Sequence, residues 1–346
     1  MLRKPAVLSL AAALLSACLL VNGCRCRGDS TSYTPNASNA QEETRPAASS
    51  ARVQALITAP SAPEQPDPEP GKLSPDHTSV NLTAPQGSNV QERFRPPEGY
   101  TRIPQEEGSF GQYVRTYPLL PDGAQVLLYD GTVKPYQSGS AAVFALPVIG
   151  GNDLQQCADS VMRMYAEYLW HNGRGEEIRF HFVNGFLFDY PTYRAGGRVK
   201  FDGNTAKWQQ TAGFDDSYEA FERYLYVTFA YSSTLSMEGE SYPADIKGAE
   251  IGDVFLRAGS PGHVVMVADV CENADGDRAF LLAQGYMPAQ QFHVLKNPDS
   301  EVDPWYYTGG EKALTYPLRT PEYTFEEGSF RRMTYLAPPE PVRDGQ

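Results

Sequence analysis

Ile251-Gly252-Asp253-Val254-Phe255-Leu256 and, beyond the turn Gly259-Ser260-Pro261-Gly262, His263-Val264-Val265-Met266-Val267-Ala268-Asp269-Val270 decide the architecture of this chain. Both runs are apolar, rich in β-branched residues and closed off by Gly, Ser and Pro, so they read as strands over 254–256 and 263–270. Asn273-Ala274-Asp275-Gly276-Asp277 is a hairpin loop, residues 279–284 are its return strand, and residues 291–295 form one more. The C-terminal half is therefore expected to be an antiparallel sheet.

Helices precede that sheet. Asp153 is a good N-cap, and Leu154, Cys157, Ala158, Val161, Met162, Tyr165, Tyr168 and Leu169 recur at helical spacing until Asn172-Gly173. Arg163 and Glu167, four apart, read as an exposed pair on the far side. Ser217 opens a second helix with Tyr218, Phe221, Tyr224, Leu225 and Thr228 on one side. Residues 178–183 and 198–201 read as strands, with Phe182, Phe186, Phe188, Tyr190, Tyr193 and Trp208 as an aromatic cluster suited to core packing or to a sugar or peptide groove. Further strands are expected over 113–119, 125–129 and 141–148. Helices followed by an antiparallel run give an α+β head with added N-terminal strands. Glu-Glu-Gly-Ser-Phe occurs twice, at 106–110 and 326–330, and reads as two similar turns.

One constellation in this frame has the parts for chemistry. Cys157 lies in the first turn of the best helix, where unsatisfied N–H groups favour a thiolate. His263 opens the apolar strand and Gln284 ends the next one. A thiol, a base to deprotonate it and a polar group to orient the base make a nucleophilic site. Gln156, or Gln155 beside it, is placed to donate to an oxyanion. Three uses of Cys157 fit the sequence: nucleophile, small core residue, or half of a disulfide with Cys271. The first and third exclude each other, because Cys271 lies eight residues beyond His263, about 26 Å along a strand. His263 also fits a hydrogen-bonded structural role, His293 is a rival orienting residue, and Asp253 fits a turn. No spacing of His and Cys calls for a metal, and nothing calls for a cofactor.

At these residues a resemblance can be stated. Ile251-Gly252-Asp253-Val254-Phe255 followed by Gly262-His263-Val264-Val265-Met266-Val267 resembles the second half of NlpC-type and CHAP cell-wall cysteine peptidases and amidases. The resemblance implies a papain-like core, with Cys157 as nucleophile, His263 as base and peptidoglycan or peptide amides as substrate. The segment Gln155-Gln156-Cys157-Ala158-Asp159 departs from the short Asp-Cys-Ser motif usual there, and the long Cys-to-His spacing implies an insertion near 171–215. Over about 105–335 the head more closely resembles an uncharacterised family of bacterial lipoproteins known only as a domain of unknown function. Asp153-Leu154-Gln155-Gln156-Cys157-Ala158-Asp159, Gly252-Asp253-Val254-Phe255, Gly259-Ser260-Pro261-Gly262-His263 and Ala283-Gln284-Gly285-Tyr286-Met287-Pro288-Ala289-Gln290 carry that likeness.

The remaining sequence gives an address. Met1-Leu2-Arg3-Lys4 and the apolar run from Ala6 to Val21 form a signal peptide over residues 1–24. Leu15-Ser16-Ala17-Cys18 and Val21-Asn22-Gly23-Cys24 are both lipobox-like, so Cys18 or Cys24 is the expected lipidation site and the lipid the expected membrane contact. Residues 25–97 hold 11 of the 28 prolines and little that can be buried, which makes a tether; residues 98–346 are the globular head. The expected location is the bacterial cell envelope, periplasm or outer membrane. The chain has 346 residues and net charge −13, and residues 1–97 are close to neutral, so the acidity belongs to the head. Such a surface argues against nucleic acid as a partner.

Overall fold

The computed structural model describes residues 81–337. The signal peptide, both lipobox cysteines and residues 25–80 of the tether lie outside the described residues. The chain runs through helix α1 (Val90–Arg93), strand β1 (Tyr100–Arg102), α2 (Phe110–Thr116), β2 (Ser140–Val143) and the long α3 (Cys157–His171). It continues with β3 (Arg179–His181), β4 (Leu187–Asp189), α4 (Tyr190–Arg194), β5 (Gly197–Asp202), β6 (Thr205–Gln210), α5 (Tyr218–Tyr231) and α6 (Thr234–Gly239). The C-terminal half is strands: β7 (Ser241–Pro243), β8 (Val254–Arg257), β9 (His263–Asn273), β10 (Arg278–Gln284), β11 (His293–Leu295), β12 (Tyr306–Tyr307), β13 (Leu318–Arg319), β14 (Thr324–Phe325) and β15 (Phe330–Met333).

The fold is mixed α and β around one large antiparallel sheet, ordered β2-β11-β10-β9-β8-β15-β7, with β1 added to β9 and β12 to β10. Strand β9 is its spine. Val264, Met266, Ala268 and Cys271 join the helix-side core, whereas Val265, Val267 and Val270 join a second core against the C-terminal segments. The switch from even to odd numbers comes from a bulge opposite Leu281 and Leu282, which puts one extra residue into β9. A run of apolar residues serving both faces, interrupted only by Asp269 between Val264 and Cys271, is why this stretch is legible as a strand buried on two sides.

Several expectations need correction. Residues 113–119 are not a strand: Ser109 Oγ accepts the Gln112 N–H at 3.2 Å and starts α2, burying Phe110 and Val114 four apart. Residues 125–129 make only isolated bridges, Leu127 with Val133 and Leu128 with Gln290. The long helix begins at Cys157, not after Asp153. Asp153 Oδ1 instead accepts the Ala289 N–H at 2.6 Å, tying the approach to α3 onto the β10–β11 connection. Arg163 and Glu167 are buried, since 13 of the 15 residues of α3 are. Arg163 bonds Glu167 at 3.1 Å and Gln155 Oε1 at 2.8 Å, so the pair is internal glue. The folded unit also takes in residues assigned to the tether: Val90 and Phe94 are fully buried, and Trp305 Nε1 donates to the Arg95 carbonyl at 2.9 Å.

Between α3 and α5 lie two hairpins outside the main sheet, β3–β4 and β5–β6. Their aromatic residues pack as core: Phe188 stacks on Trp208 at 5.2 Å and on Tyr224 at 4.6 Å. The two Glu-Glu-Gly-Ser-Phe segments do form the same turn. Ser109 N–H donates to Glu106 O at 3.1 Å and Ser329 N–H to Glu326 O at 3.2 Å, each with its glycine at positive φ. One turn leads into a helix and the other into a strand, so the pentapeptide specifies a turn and leaves the next element open.

Candidate active site

Helix α3 packs on β9 and β10 with its N-terminus at the end of the sheet where β9 starts and β10 stops. A Cβ on Gly285 would meet Ser160 Oγ at 2.3 Å and the Gln156 carbonyl at 2.9 Å, so a glycine is needed for the helix to sit this close. Gln156 N–H donates to Asp159 Oδ2 at 3.0 Å, half of a capping box that starts the helix at Cys157. The sulfur lies beside the strand mouth, where the amide N–H groups of Val264, Ala158 and Cys157 itself bear on it. Cys157 and Cys271 are both free thiols, and Cys271 Sγ points to the Ala279 carbonyl at 3.5 Å.

His263, the first residue of β9, is 2 % exposed and ringed by aromatic groups: Tyr286 at 4.8 Å, Tyr323 at 4.9 Å and Phe325 at 5.9 Å. Its Nε2 meets Gln284 Oε1 at 2.8 Å. Gln284 Nε2 donates to Glu322 Oε2 at 2.6 Å, and Lys134 Nζ donates to the same oxygen at 2.6 Å. Four polar side chains from four parts of the chain, three buried and Glu322 half-buried, are thus linked in series. Among the described residues no hydrogen bond joins Cys157 to His263; they share Tyr286 and Tyr323 as neighbours.

Burial governs the titration. The expectation of a lowered thiol pKa fails here: desolvation, with Asp159 nearby, pushes Cys157 up to about 12, outweighing the helix N-terminus. Burial pulls His263 down to about 4 against the Gln284 bond. Both groups are neutral in this closed arrangement. Burial likewise raises Asp159 to about 8, and its Oδ1 has no partner among the described residues.

The other sequence candidates fall around this pair. The Gln156 amide donates to Asp153 Oδ1 at 3.1 Å on the exposed side. Gln155 is fully buried, its Oε1 accepting from Ile149 N–H at 3.0 Å and from Arg163, while its Nε2 has no partner among the described residues. His293 sits opposite Gln284 on β11; its Nδ1 faces the Gln291 carbonyl at 3.0 Å, its Nε2 is unpartnered among the described residues, and burial lowers it to about 3. Asp253 holds a turn and a two-bond pair with Arg332, at 2.7 and 2.8 Å. Glu322 and Lys134 escape sequence reading, because a lone Glu in Thr320-Pro321-Glu322 has no periodicity that would reveal a buried partner. Among the described residues no group of three or more His, Cys, Asp or Glu is placed to hold a metal. Two cavities, about 700 and 280 Å³, are lined by neither Cys157, His263 nor Gln284.

A family model described as domain of unknown function 4846 matches residues 90–332. The chain belongs to this family, DUF4846. The DUF4846 match spans α1 to β15, including every residue of the Cys157–His263–Gln284–Glu322 assembly. Neither a curated protein nor a solved structure matches the chain.

Proposed function

We propose that this protein is an exported cell-envelope lipoprotein, anchored through Cys18 or Cys24, whose head is a papain-like cysteine hydrolase acting on peptidoglycan-type amide bonds. The observation that carries the reading is the polar series behind His263. A structural histidine in an apolar core has no use for a Gln, Glu and Lys linked one behind another, whereas a base beside a thiol needs its ring oriented. The order of elements supports it too: a helix starting at the cysteine, then an antiparallel run carrying the histidine and glutamine on consecutive strands.

In this mechanism His263 Nδ1 takes the proton from Cys157 Sγ, and the thiolate adds to the substrate carbonyl. The oxyanion faces the free N–H groups at the start of α3. Collapse breaks the C–N bond and the amine leaves with the proton from His263. Water, deprotonated by the same ring, then cleaves the thioester to a carboxylate and restores the thiol.

One observation favours a second reading, a non-catalytic envelope binding or structural lipoprotein. Burial pushes the thiol pKa up and pulls the imidazole pKa down, so both shifts oppose proton transfer in the closed state. Catalysis therefore requires substrate or motion to admit polar surroundings. The deciding experiment treats the full chain with a thiol-directed electrophile and, separately, with purified peptidoglycan. The hydrolase reading expects modification of Cys157 and new free amino groups, both abolished in Cys157→Ser. Intact peptidoglycan together with an inert Cys157 overturns it in favour of the second reading.

A further inference from the structure

We infer that Glu322, held by Lys134, is a positioning residue that sets the tautomer of His263 through the Gln284 side chain; this rests on the hydrolase reading for its purpose but not for its geometry. Glu322 Oε2 receives both Lys134 Nζ and Gln284 Nε2, each at 2.6 Å, which is the part of a carboxylate oxygen. A primary amide has one accepting end and one donating end. With its NH2 committed to Glu322, Gln284 can offer His263 only the carbonyl. A carbonyl accepts and never donates, so the His263 nitrogen 2.8 Å from it, Nε2, must carry the hydrogen. The neutral ring then has its lone pair on Nδ1, the atom that must take a proton from the thiol. Turning the amide over would set the NH2 against Nε2, place the hydrogen on Nδ1 and silence the base.

The supporting shell is built to hold that choice. Gln284 is fully buried, and the side chains of Lys134 and Glu322 are 6 % and 12 % exposed. Tyr286 donates its hydroxyl to the Glu322 carbonyl at 3.1 Å, and Tyr323, the next residue, lies on the His263 ring. The turn between β13 and β14 thus brings both the orienting carboxylate and the cover of the ring. Glu322 acts on the reaction only through Gln284 and touches neither the sulfur nor the base.

The test is side-chain nitrogen NMR of the 15N-labelled full chain, with His263 assigned by its loss in His263→Asn. The wild type is expected to show the Nε2–H tautomer at neutral pH; an Nδ1–H ring there overturns the inference without any variant. Replacing both partners, Lys134→Met with Glu322→Met, leaves no buried charge alone and frees the amide to turn. The expected result is a mixture of His263 tautomers and a rate of Cys157 alkylation reduced in proportion, about twofold for an even mixture. Lys134→Met alone keeps the carboxylate and is expected to keep Nε2–H. A pure Nε2–H ring in the folded double variant overturns the positioning role. An inert Cys157 in the wild type, by contrast, fails the hydrolase reading while the tautomer result stands on its own.

Discussion

Strand β9 carries a polar residue near each end, and the two are treated in opposite ways. Asp269 is fully buried, but its charge is met on all sides: Arg102 Nε at 2.7 Å, Arg115 Nη2 at 2.7 Å and its neighbour's N–H, Val270, at 2.9 Å. Arg115 also donates to the Ile103 and Val270 carbonyls. Nothing there is left to react. At the other end His263 is neutral and bonded through one nitrogen, and the residues around that end of the sheet include a free thiol, the Asp159 carboxyl and a His293 nitrogen, the last two with an atom that has no partner among the described residues. A buried charge that is fully paired fastens a fold; buried groups left with unspent capacity store reactivity.

The largest effect expected from this contrast is at the His263 end. Cys157→Ser should lower thiol labelling and any amide hydrolysis by on the order of a thousandfold or more, with little change in the thermal midpoint. Asp269→Ala should do the reverse. Removing the carboxylate strands Arg115 in the interior and should cost about 3–5 kcal/mol by urea unfolding, while labelling of Cys157 per folded molecule stays the same. A labelling rate that tracks the Asp269 substitution would break the division between the two ends.

Asp159, unlike Asp269, is a buried carboxyl with no arginine paired to it among the described residues. Its folded pKa, raised by burial to about 8, lies above its unfolded value near 4, so the folded state holds the extra proton. The stability it contributes is present below pH 4 and is lost as pH rises toward 8, the reverse of a salt-bridged Asp. Asp159→Asn should therefore be the more stable protein at pH 8, by roughly a few kcal/mol, with the advantage shrinking toward pH 4. Chemical denaturation at several pH values reads this directly. A wild type that gains stability relative to Asp159→Asn as pH rises would show that a cation reaches Asp159 after all.

Legibility in the sequence depends on the reach of each interaction. The strands β8 to β11 and helix α5 are legible with nearly correct bounds, since alternation and the Ser217 cap are local signals. The start of α3 reads too early because Asp153 has the chemistry of a cap but bonds Ala289 instead, 136 residues away. Residues 113–119 alternate well enough to suggest a strand, yet Ser109 and the burial of Phe110 and Val114 make a helix. Cys157, His263 and Gln284 stand out by their places at element ends. The direction of the thiol's shift does not, because how deeply a helix start is covered depends on residues such as Tyr286 and Tyr323 that no local pattern ties to it. Glu322 and Lys134 stand 188 residues apart and meet only through the fold.

The smallest expected effect separates the two core thiols. Cys271 lies two residues beyond Asp269, fully buried, with its thiol pushed upward by burial and by that carboxylate. It touches no imidazole that accepts a proton, and its sulfur points at the Ala279 carbonyl. It should behave as a small hydrophobic residue. Cys271→Ala removes one sulfur from a packed site and should cost about 1 kcal/mol in thermal or urea unfolding, with Cys157 labelling unchanged. In the native wild type, alkylation with subsequent peptide mass mapping should find modification at Cys157 before Cys271. If Cys271 were modified first, ease of local opening rather than the His263 environment would govern thiol reactivity, and the two ends of β9 would differ in packing alone.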